Sequence, residues 1–321
     1  MSTLRLVVLD GKALNPGDLS WSGFESLGQC VVYDRTPEGK VLQHIGNAEI
    51  VLTNKTLITA ETIRQAPNLK YIGVLATGYN VVDTDAARET GVVVTNIPAY
   101  STNAVAQLVF ALLLEACHHV GEHSHAVHEG KWVRSKDFSY WNYPLIELAG
   151  KTMGIIGLGQ IGKAVARISE AFGMKVLAYT RTPNPALESD NLRFVALDEL
   201  LAESDVVSLN CPLTPETSGI INKGSLAKMK HSAILINTAR GGLIDEDALR
   251  EALDNCVISF AAVDVVSLEP MVQDNPLLGA KNIIITPHIG WAPLECRVRL
   301  MDIAVRNIKH FLEDDPINVV N

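Results

Sequence analysis

The five cysteines, Cys30, Cys117, Cys211, Cys256 and Cys296, are odd in number, far apart and include no CxxC pair. That pattern argues against a disulfide framework and points to free thiols in a reducing compartment. An excess of positive charge is missing too. The chain has 27 Lys and Arg against 36 Asp and Glu, a net charge of −9. Nucleic acid and anionic membrane are therefore poor partners, although a local cationic pocket for a small anion remains compatible with the balance. Long hydrophobic runs are also lacking. The most apolar helical stretch, Ala104–Cys117, is interrupted by Gln107 and Glu115 and is too short to span a bilayer. The opening MSTLRLVVLDG enters a strand directly, without the layout of a secretory leader. There is no internal repeat and no low-complexity tract. What is present is 321 residues, 47% of them apolar, enough for two domains with full cores. A soluble cytoplasmic protein with no nucleic acid and no membrane as partner is the expectation.

Short apolar runs alternate with helical patterns, which implies βαβ units and parallel sheets. The first alternation places strands at Leu4–Leu9, Cys30–Tyr33, Ile50–Leu52, Tyr71–Val74 and Val92–Thr95, with helical stretches at Glu61–Gln65 and Thr84–Glu89. Ser101-Thr102-Asn103 offers caps for a helix whose Val105, Leu108, Val109, Leu112, Leu113 and Ala116 share one face, a buried link between two domains. A second alternation begins at Met153. It predicts strands at Met153–Ile156, Lys175–Tyr179, Val206–Asn210, Ala233–Asn237, Ile258–Val263 and Ile283–Thr286. Its helices are Gln160–Phe172, Asp198–Ala202 and Glu246–Leu253, and a last helix covers Leu294–Leu312. Between the alternations, His123–Gly150 carries Trp132, Phe138, Tyr140, Trp141 and Tyr143 without periodicity. It reads as an irregular arm that packs on another subunit.

Gly157-Leu158-Gly159-Gln160-Ile161-Gly162 is a G-x-G-x-x-G between an apolar strand and a helix, the context in which that pattern binds a dinucleotide. The first glycine makes the tight turn, the second admits the pyrophosphate and the third lets helix pack on strand. The helix N-terminus adds unpaired N–H groups and positive dipole. An acid that would hold both ribose hydroxyls is expected about 20 residues on, and it is missing. VLAYTRTPNP offers Thr180, Arg181 and Thr182 instead. Threonine does not repel a 2′-phosphate, and an arginine fork with two hydroxyls can bind one. The expectation is NADP in preference to NAD; the alternative is a solvated Arg181 with NAD held by a weaker ribose contact.

Ligands of open α/β sheets bind beyond the carboxyl ends of the strands. ILINTARGG ends with Arg240, FAAVDVVSLEP leads through Asp264 to Glu269, and IIITPHIGW leads to His288. The three types suit reduction of a 2-oxo acid. Arginine pairs with the carboxylate and polarises the carbonyl. Histidine gives the carbonyl oxygen a proton as hydride arrives. Glutamate on the far imidazole nitrogen orients the ring and favours its charged form. Reduction should then run faster at lower pH, and oxidation of the hydroxy acid at higher pH.

GLGQIGKAVA, CPLTPET, LINTARGGLIDEDAL, AAVDVVSLEP and TPHIGW together resemble the D-isomer-specific 2-hydroxyacid dehydrogenases over nearly the whole chain. LATGYNVVD, NIPAYSTNAVAQ and HIGWAP are similar to the hydroxypyruvate reductase, or glycerate dehydrogenase, branch. The resemblance implies an α/β fold of two doubly wound parallel-sheet domains with a cleft between them. A flavodoxin-like substrate-binding domain would comprise 1–100 and 290–321, and a Rossmann NAD(P)-binding domain 101–289. It implies Arg240 as substrate ligand, His288 as acid/base and Glu269 as its partner. Asp264 would hold the nicotinamide carboxamide. Val105, Thr238 and Ala239 would line the cofactor, with Asn210, Cys211, Pro212 and Thr217 near the adenosine. The Thr77-Gly78 amides would take the substrate carboxylate, and Lys55 stands on the same rim. The implied activity is NAD(P)H-dependent reduction of hydroxypyruvate or glyoxylate to D-glycerate or glycolate by a homodimer. Other members, such as phosphoglycerate or D-lactate dehydrogenases, and non-enzymatic dinucleotide sensors of the same fold are the alternatives. Gln107 stands where many members have glutamate, and Thr180 where aspartate is common.

His118, His119, His123, His125 and His128 crowd together. His119 and His123 have the helical spacing of metal ligands, but no acid or cysteine set completes a site. No metal is expected.

Overall fold

The structure, a computed structural model, describes residues 4–321. The chain divides into two compact units, one formed by the chain up to Ser101 with Trp291–Asn321, the other by Thr102–Gly290.

The first unit opens with β1 (Arg5–Val8), α1 (Gly11–Leu14), α2 (Ser22–Glu25) and β2 (Gln29–Val32). It continues with α3 (Val41–Ile45), β3 (Ile50–Thr53), α4 (Ala60–Gln65), β4 (Tyr71–Val74), α5 (Thr84–Thr90) and β5 (Val93–Thr95). All pairings are parallel, in the order β2-β1-β3-β4-β5, the flavodoxin-like arrangement. β3 and β4 are buried at every position, as befits strands covered on both faces. Thr59 and Asp83 cap α4 and α5 by accepting from the N–H groups of Thr62 and Ala86.

The second unit starts with α6 (Thr102–His118) and α7 (Val120–His128). β6 (Thr152–Ile156), α8 (Gln160–Ala171), β7 (Lys175–Tyr179), β8 (Leu192–Phe194), α9 (Leu197–Glu203) and β9 (Val206–Leu209) follow. Then come α10 (Lys223–Leu226), β10 (Ile234–Asn237), α11 (Glu246–Asp254), β11 (Phe260–Val263) and β12 (Ile283–Ile285). The seven parallel strands lie in the order β12-β11-β10-β9-β6-β7-β8, which is the dinucleotide-binding order with one strand added. One face of the sheet packs on α6 and α8 through Val109, Leu113, Val165 and Ile155, the other on α9 and α11 through Leu200, Leu249, Val207 and Leu235.

The chain then returns to the first unit as α12 (Leu294–Leu312). Arg297, 8% exposed, docks it with both guanidinium nitrogens on the Asp18 carboxylate at 2.7 Å. Buried Asn307 donates to the Asn96 carbonyl, and the Phe311 ring meets that of Tyr71.

Three departures from the sequence reading have physical reasons. β8 pairs with β7 over only three residues, too few to show a period. α1, α2, α3 and α10 are single turns below the length at which periodicity registers. The arm is not irregular from His123: α7 resumes after a left-handed His119 at φ 48°. There the His123 Nδ1–H donates to the His119 carbonyl at 2.9 Å, and Nε2 accepts the Asn142 N–H at 3.1 Å. Its run VGEHSHAVH has no apolar face to read.

Candidate active site

In the second unit the strand order reverses between β6 and β9, and the crevice at such a point is where ligands bind. The glycine loop lies there. Gly157 follows β6 at φ 97°. A Cβ on it would lie 2.6 Å from the Cys211 nitrogen after β9, so only glycine allows the two chain segments to meet. A Cβ on Gly162 would lie 2.2 Å from the Gly157 carbonyl oxygen, which is why helix α8 can sit against the turn. Gly159 has open space on its side-chain face and, as N-cap of α8, brings no side chain to its first-turn N–H groups. Leu158 is buried, Ile161 half-buried and Gln160 exposed. The groups present thus fit a pyrophosphate: room at the second glycine and an uncapped twelve-residue helix behind it.

The neighbouring strand ends carry further signs of a ligand. Asn210, after β9, turns its amide nitrogen to Ser208, while its Oδ1 is buried without a partner. Thr238, after β10, has a buried hydroxyl that is also unpartnered. Buried polar atoms are seldom left so, and both stand on adjacent strands of the same rim. Burial raises the Cys211 thiol above its usual range. Thr217 is engaged inside its own turn, donating to the Pro212 carbonyl and accepting the Thr214 N–H. Beyond β7, Thr180 is half-buried, and Arg181 and Thr182 are exposed. Glu216 is held below the usual carboxylate range by the Thr214 hydroxyl and its own N–H, with Arg181 adding to the effect.

Arg240, Glu269 and His288 follow β10, β11 and β12, three adjacent parallel strands. The His288 Nδ1–H donates to Glu269 Oε2 at 2.6 Å, and Glu269 Oε1 accepts the Val266 N–H at 3.3 Å. Their side chains are 28% and 30% exposed, open to solvent or a ligand without being free of the protein. The histidine occupies a left-handed position, φ 55°, in a turn built on Asp264. That carboxylate, 1% exposed, accepts from the Thr286 hydroxyl at 2.6 Å and from the Ile289 and Gly290 N–H groups at 2.8 Å. A Cβ on Gly290 would meet Asp264 and, from α6, Leu108 and Val105, so Val105 stands beside the same turn. Arg240 is exposed, with Nη1 donating to the Ala239 carbonyl at 2.7 Å. A Cβ on Gly241 would fall 1.9 Å from the Val266 carbonyl carbon, so the arginine turn abuts the backbone that carries Glu269.

In the first unit the order reverses between β1 and β3, and Lys55 follows β3. Asp10, 6% exposed, accepts the N–H groups of Asn54, Lys55 and Thr56 at 2.8, 2.6 and 2.8 Å. Lys55 itself is exposed. Asn54 donates to the Leu75 carbonyl, and the Thr77 hydroxyl to that of Ile97, which fixes the loop with Thr77 and Gly78.

Sequence reasoning passed over Asp10, Asn54 and Asn237. The Asn237 amide donates to the Arg240 carbonyl, and its oxygen accepts the Ala239 N–H. The signal was available: VVLD, VLTN, ILIN and AAVD each end an apolar run in a short polar side chain, of which Asn237 folds its own following turn while Asp10, Asn54 and Asp264 bond to the segment after the neighbouring strand. Among the described residues no group of three or more His, Cys, Asp and Glu is placed to hold a metal ion. Among them, too, no single helix is long and apolar enough to cross a membrane.

Residues 110–290 match the D-isomer specific 2-hydroxyacid dehydrogenase, NAD binding domain. The chain is 58% identical over 321 residues to a hydroxypyruvate reductase of Blautia hydrogenotrophica, covering 99% of this chain and 100% of that one. It is 44% identical over 322 residues to a glycerate dehydrogenase of Methylorubrum extorquens, covering 99% of each. Among solved structures, an NADPH-dependent glyoxylate/hydroxypyruvate reductase from Sinorhizobium meliloti, in complex with NADP and malonate, superposes with a TM-score of 0.84 at 28% identity. That match covers 99% of this chain and 97% of that one.

Proposed function

The chain belongs to the D-isomer-specific 2-hydroxyacid dehydrogenases, and on that premise we propose that it reduces hydroxypyruvate and glyoxylate, to D-glycerate and glycolate, with a nicotinamide dinucleotide. The observation that carries the chemistry is the 2.6 Å bond from His288 Nδ1 to Glu269 at the carboxyl edge of the sheet that holds the glycine loop.

The dinucleotide, when bound, supplies a hydride to C2 of the 2-oxo acid. Arg240 pairs with the substrate carboxylate and draws electron density toward the carbonyl oxygen. Because Nδ1 is engaged by Glu269, Nε2 is the nitrogen of His288 that gives the proton to that oxygen. One hydride on carbon and one proton on oxygen complete the hydroxyl group, and the neutral ring regains its proton from solvent. Reduction therefore needs a proton on Nε2, with Glu269 accepting from the other ring nitrogen. Asp264 keeps the His288 turn in place, and the acceptor site left on its Oδ2 would serve the nicotinamide carboxamide. Thr77, Gly78 and Lys55, at the carboxyl edge of the first unit's sheet, offer amides and positive charge to an anion.

NADP is preferred over NAD on this reading, because Thr180 leaves the place of a ribose-binding acid uncharged and Arg181 is exposed beside it. The active form is a homodimer. The Trp132–Leu145 arm of the second unit exposes Val133 (88%), Phe138 (91%) and Trp141 (65%), apolar side chains that a second copy would cover.

The test is oxidation of NADPH, followed by absorbance, with hydroxypyruvate, glyoxylate, pyruvate and 3-phosphohydroxypyruvate. The first two should give the highest kcat/KM. Turnover confined to the phosphorylated acid, or none on any, would overturn the reading.

A further inference from the structure

We infer that Glu246 is a positioning residue for the acid–base pair, acting through the loop that carries Glu269; the inference rests on the reading of His288 as proton donor. From Ser267 to Asp274 this loop is exposed at every position but Met271. Leu268, its largest apolar side chain beside the site, is 58% exposed. A segment with so little buried apolar surface opens locally unless it is tied down, yet Glu269 must be held within a few tenths of an ångström of the imidazole to orient it.

One carboxylate supplies the ties. Glu246 is the first residue of α11 and half-buried. Its Oε1 accepts the Ser267 N–H at 2.6 Å, and Oε2 accepts the Ser267 hydroxyl at 2.7 Å. The same Oε2 accepts from the Asn275 amide nitrogen at 2.8 Å. Asn275 is 6% exposed, and its oxygen caps the turn that begins at Pro276 by accepting the Leu277 N–H. Both ends of the exposed loop are thus clamped on a single side chain, by bonds of the charge-assisted kind that are stronger than neutral ones. Glu246 also closes the segment that starts at Arg240. Gly241 touches the Val266 backbone at one end of that segment, and Glu246 grips Ser267 at the other. The carboxylate therefore sets the register between the substrate-binding arginine and the glutamate of the acid–base pair. Its bonds go to Ser267 and Asn275, at the two ends of the loop. Its effect passes through Glu269.

A double-mutant cycle tests this in the full chain. Glu246→Ala, Glu269→Gln and the double variant are compared for kcat and KM with hydroxypyruvate, for the pH profile of reduction, and for NADPH binding by fluorescence. Glu246→Ala should lower kcat roughly tenfold, the scale expected when a catalytic group is loosened rather than removed. NADPH affinity should hold within a factor of about two. The pH profile of reduction should change from wild type in the same sense as in Glu269→Gln. In the Glu269→Gln background, removing Glu246 should lower kcat less than about twofold further, because the two act as a unit. Glu246→Gln keeps an oxygen for the Ser267 N–H and should recover part of the loss. If Glu246→Ala does not fold, Ser267→Ala removes one bond of the clamp and takes its place in the same cycle. Equal losses in both backgrounds, or a change in melting temperature with kcat and the pH profile untouched, would overturn the inference. Full activity in Glu269→Gln itself would instead overturn the acid–base reading beneath it.

Discussion

Arg181 acts on the Glu216 carboxylate, and a 2′-phosphate would compete with that carboxylate for the guanidinium. On the reading of an NADP-preferring enzyme, Thr180 contributes the lack of repulsion, Arg181 attraction and Glu216 opposition. Placing a carboxylate at Thr180 should reverse the balance. Thr180→Asp is expected to lower the ratio of kcat/KM for NADPH over NADH by roughly tenfold to a hundredfold, the value of one charge-assisted hydrogen bond. Glu216→Gln should raise the ratio. Steady-state kinetics with both coenzymes decide it, and an unchanged ratio in Thr180→Asp would remove the case for NADP. At this scale the sequence was readable where a motif fixes position. Arg240, Glu269 and His288 could be placed because each follows a strand that its apolar run reveals. Glu246 could not, because its partners Ser267 and Asn275 are distant in the chain and nothing local marks a clamp.

The elements of the second unit are held in register at their amino ends by Asp205. Its carboxylate accepts the Thr152 N–H and the Lys230 ammonium at 2.9 Å, and its backbone bonds to Thr152 and Ile234. β6, β9 and β10 are thereby joined below the glycine loop. Burial opposes ionisation of this acid, but Lys230 and the Thr152 N–H outweigh it and hold it below the usual range. A depressed carboxylate contributes stability that is present above its unfolded value and is lost as pH falls through the folded one. Asp205→Asn should cost about 1–3 kcal/mol near neutrality. The gap to wild type should stay level down to about pH 4 and close below it, as the native carboxylate takes up its proton. Denaturant melts across that range measure it, and a gap that persists at the lowest pH would contradict the assignment. Strands buried on both faces, such as ILIN and FAAV, were legible as continuous apolar runs. The three-residue β8 and the single-turn helices were not, since pairing and capping rather than composition make them. The α7 helix was missed because its polar, histidine-rich run is held by His123 bonding to His119 and Asn142.

For the whole molecule, the βαβ alternation implied parallel sheets, and the family resemblance implied two doubly wound domains with α12 returning to the first. The arm was visible in the sequence only as composition: five aromatics without a period. In the structure the arm's apolar side chains face outward, Phe138 and Val133 most of all, with Trp141 beside them in the chain. Light scattering after size exclusion should give the mass of two chains. Phe138→Asp combined with Trp141→Asp should give that of one chain, with helical and strand content retained. A wild-type chain that runs as a monomer at micromolar concentration would remove the homodimer from the account.

The most direct test of the central claim is single-turnover hydride transfer from NADPH to hydroxypyruvate in His288→Asn, at saturating coenzyme. With the proton donor gone and the glycine loop untouched, NADPH should bind as in wild type. The transfer rate should fall roughly a hundredfold to ten-thousandfold. A His288→Asn enzyme that transfers hydride within a few-fold of the wild-type rate would contradict it.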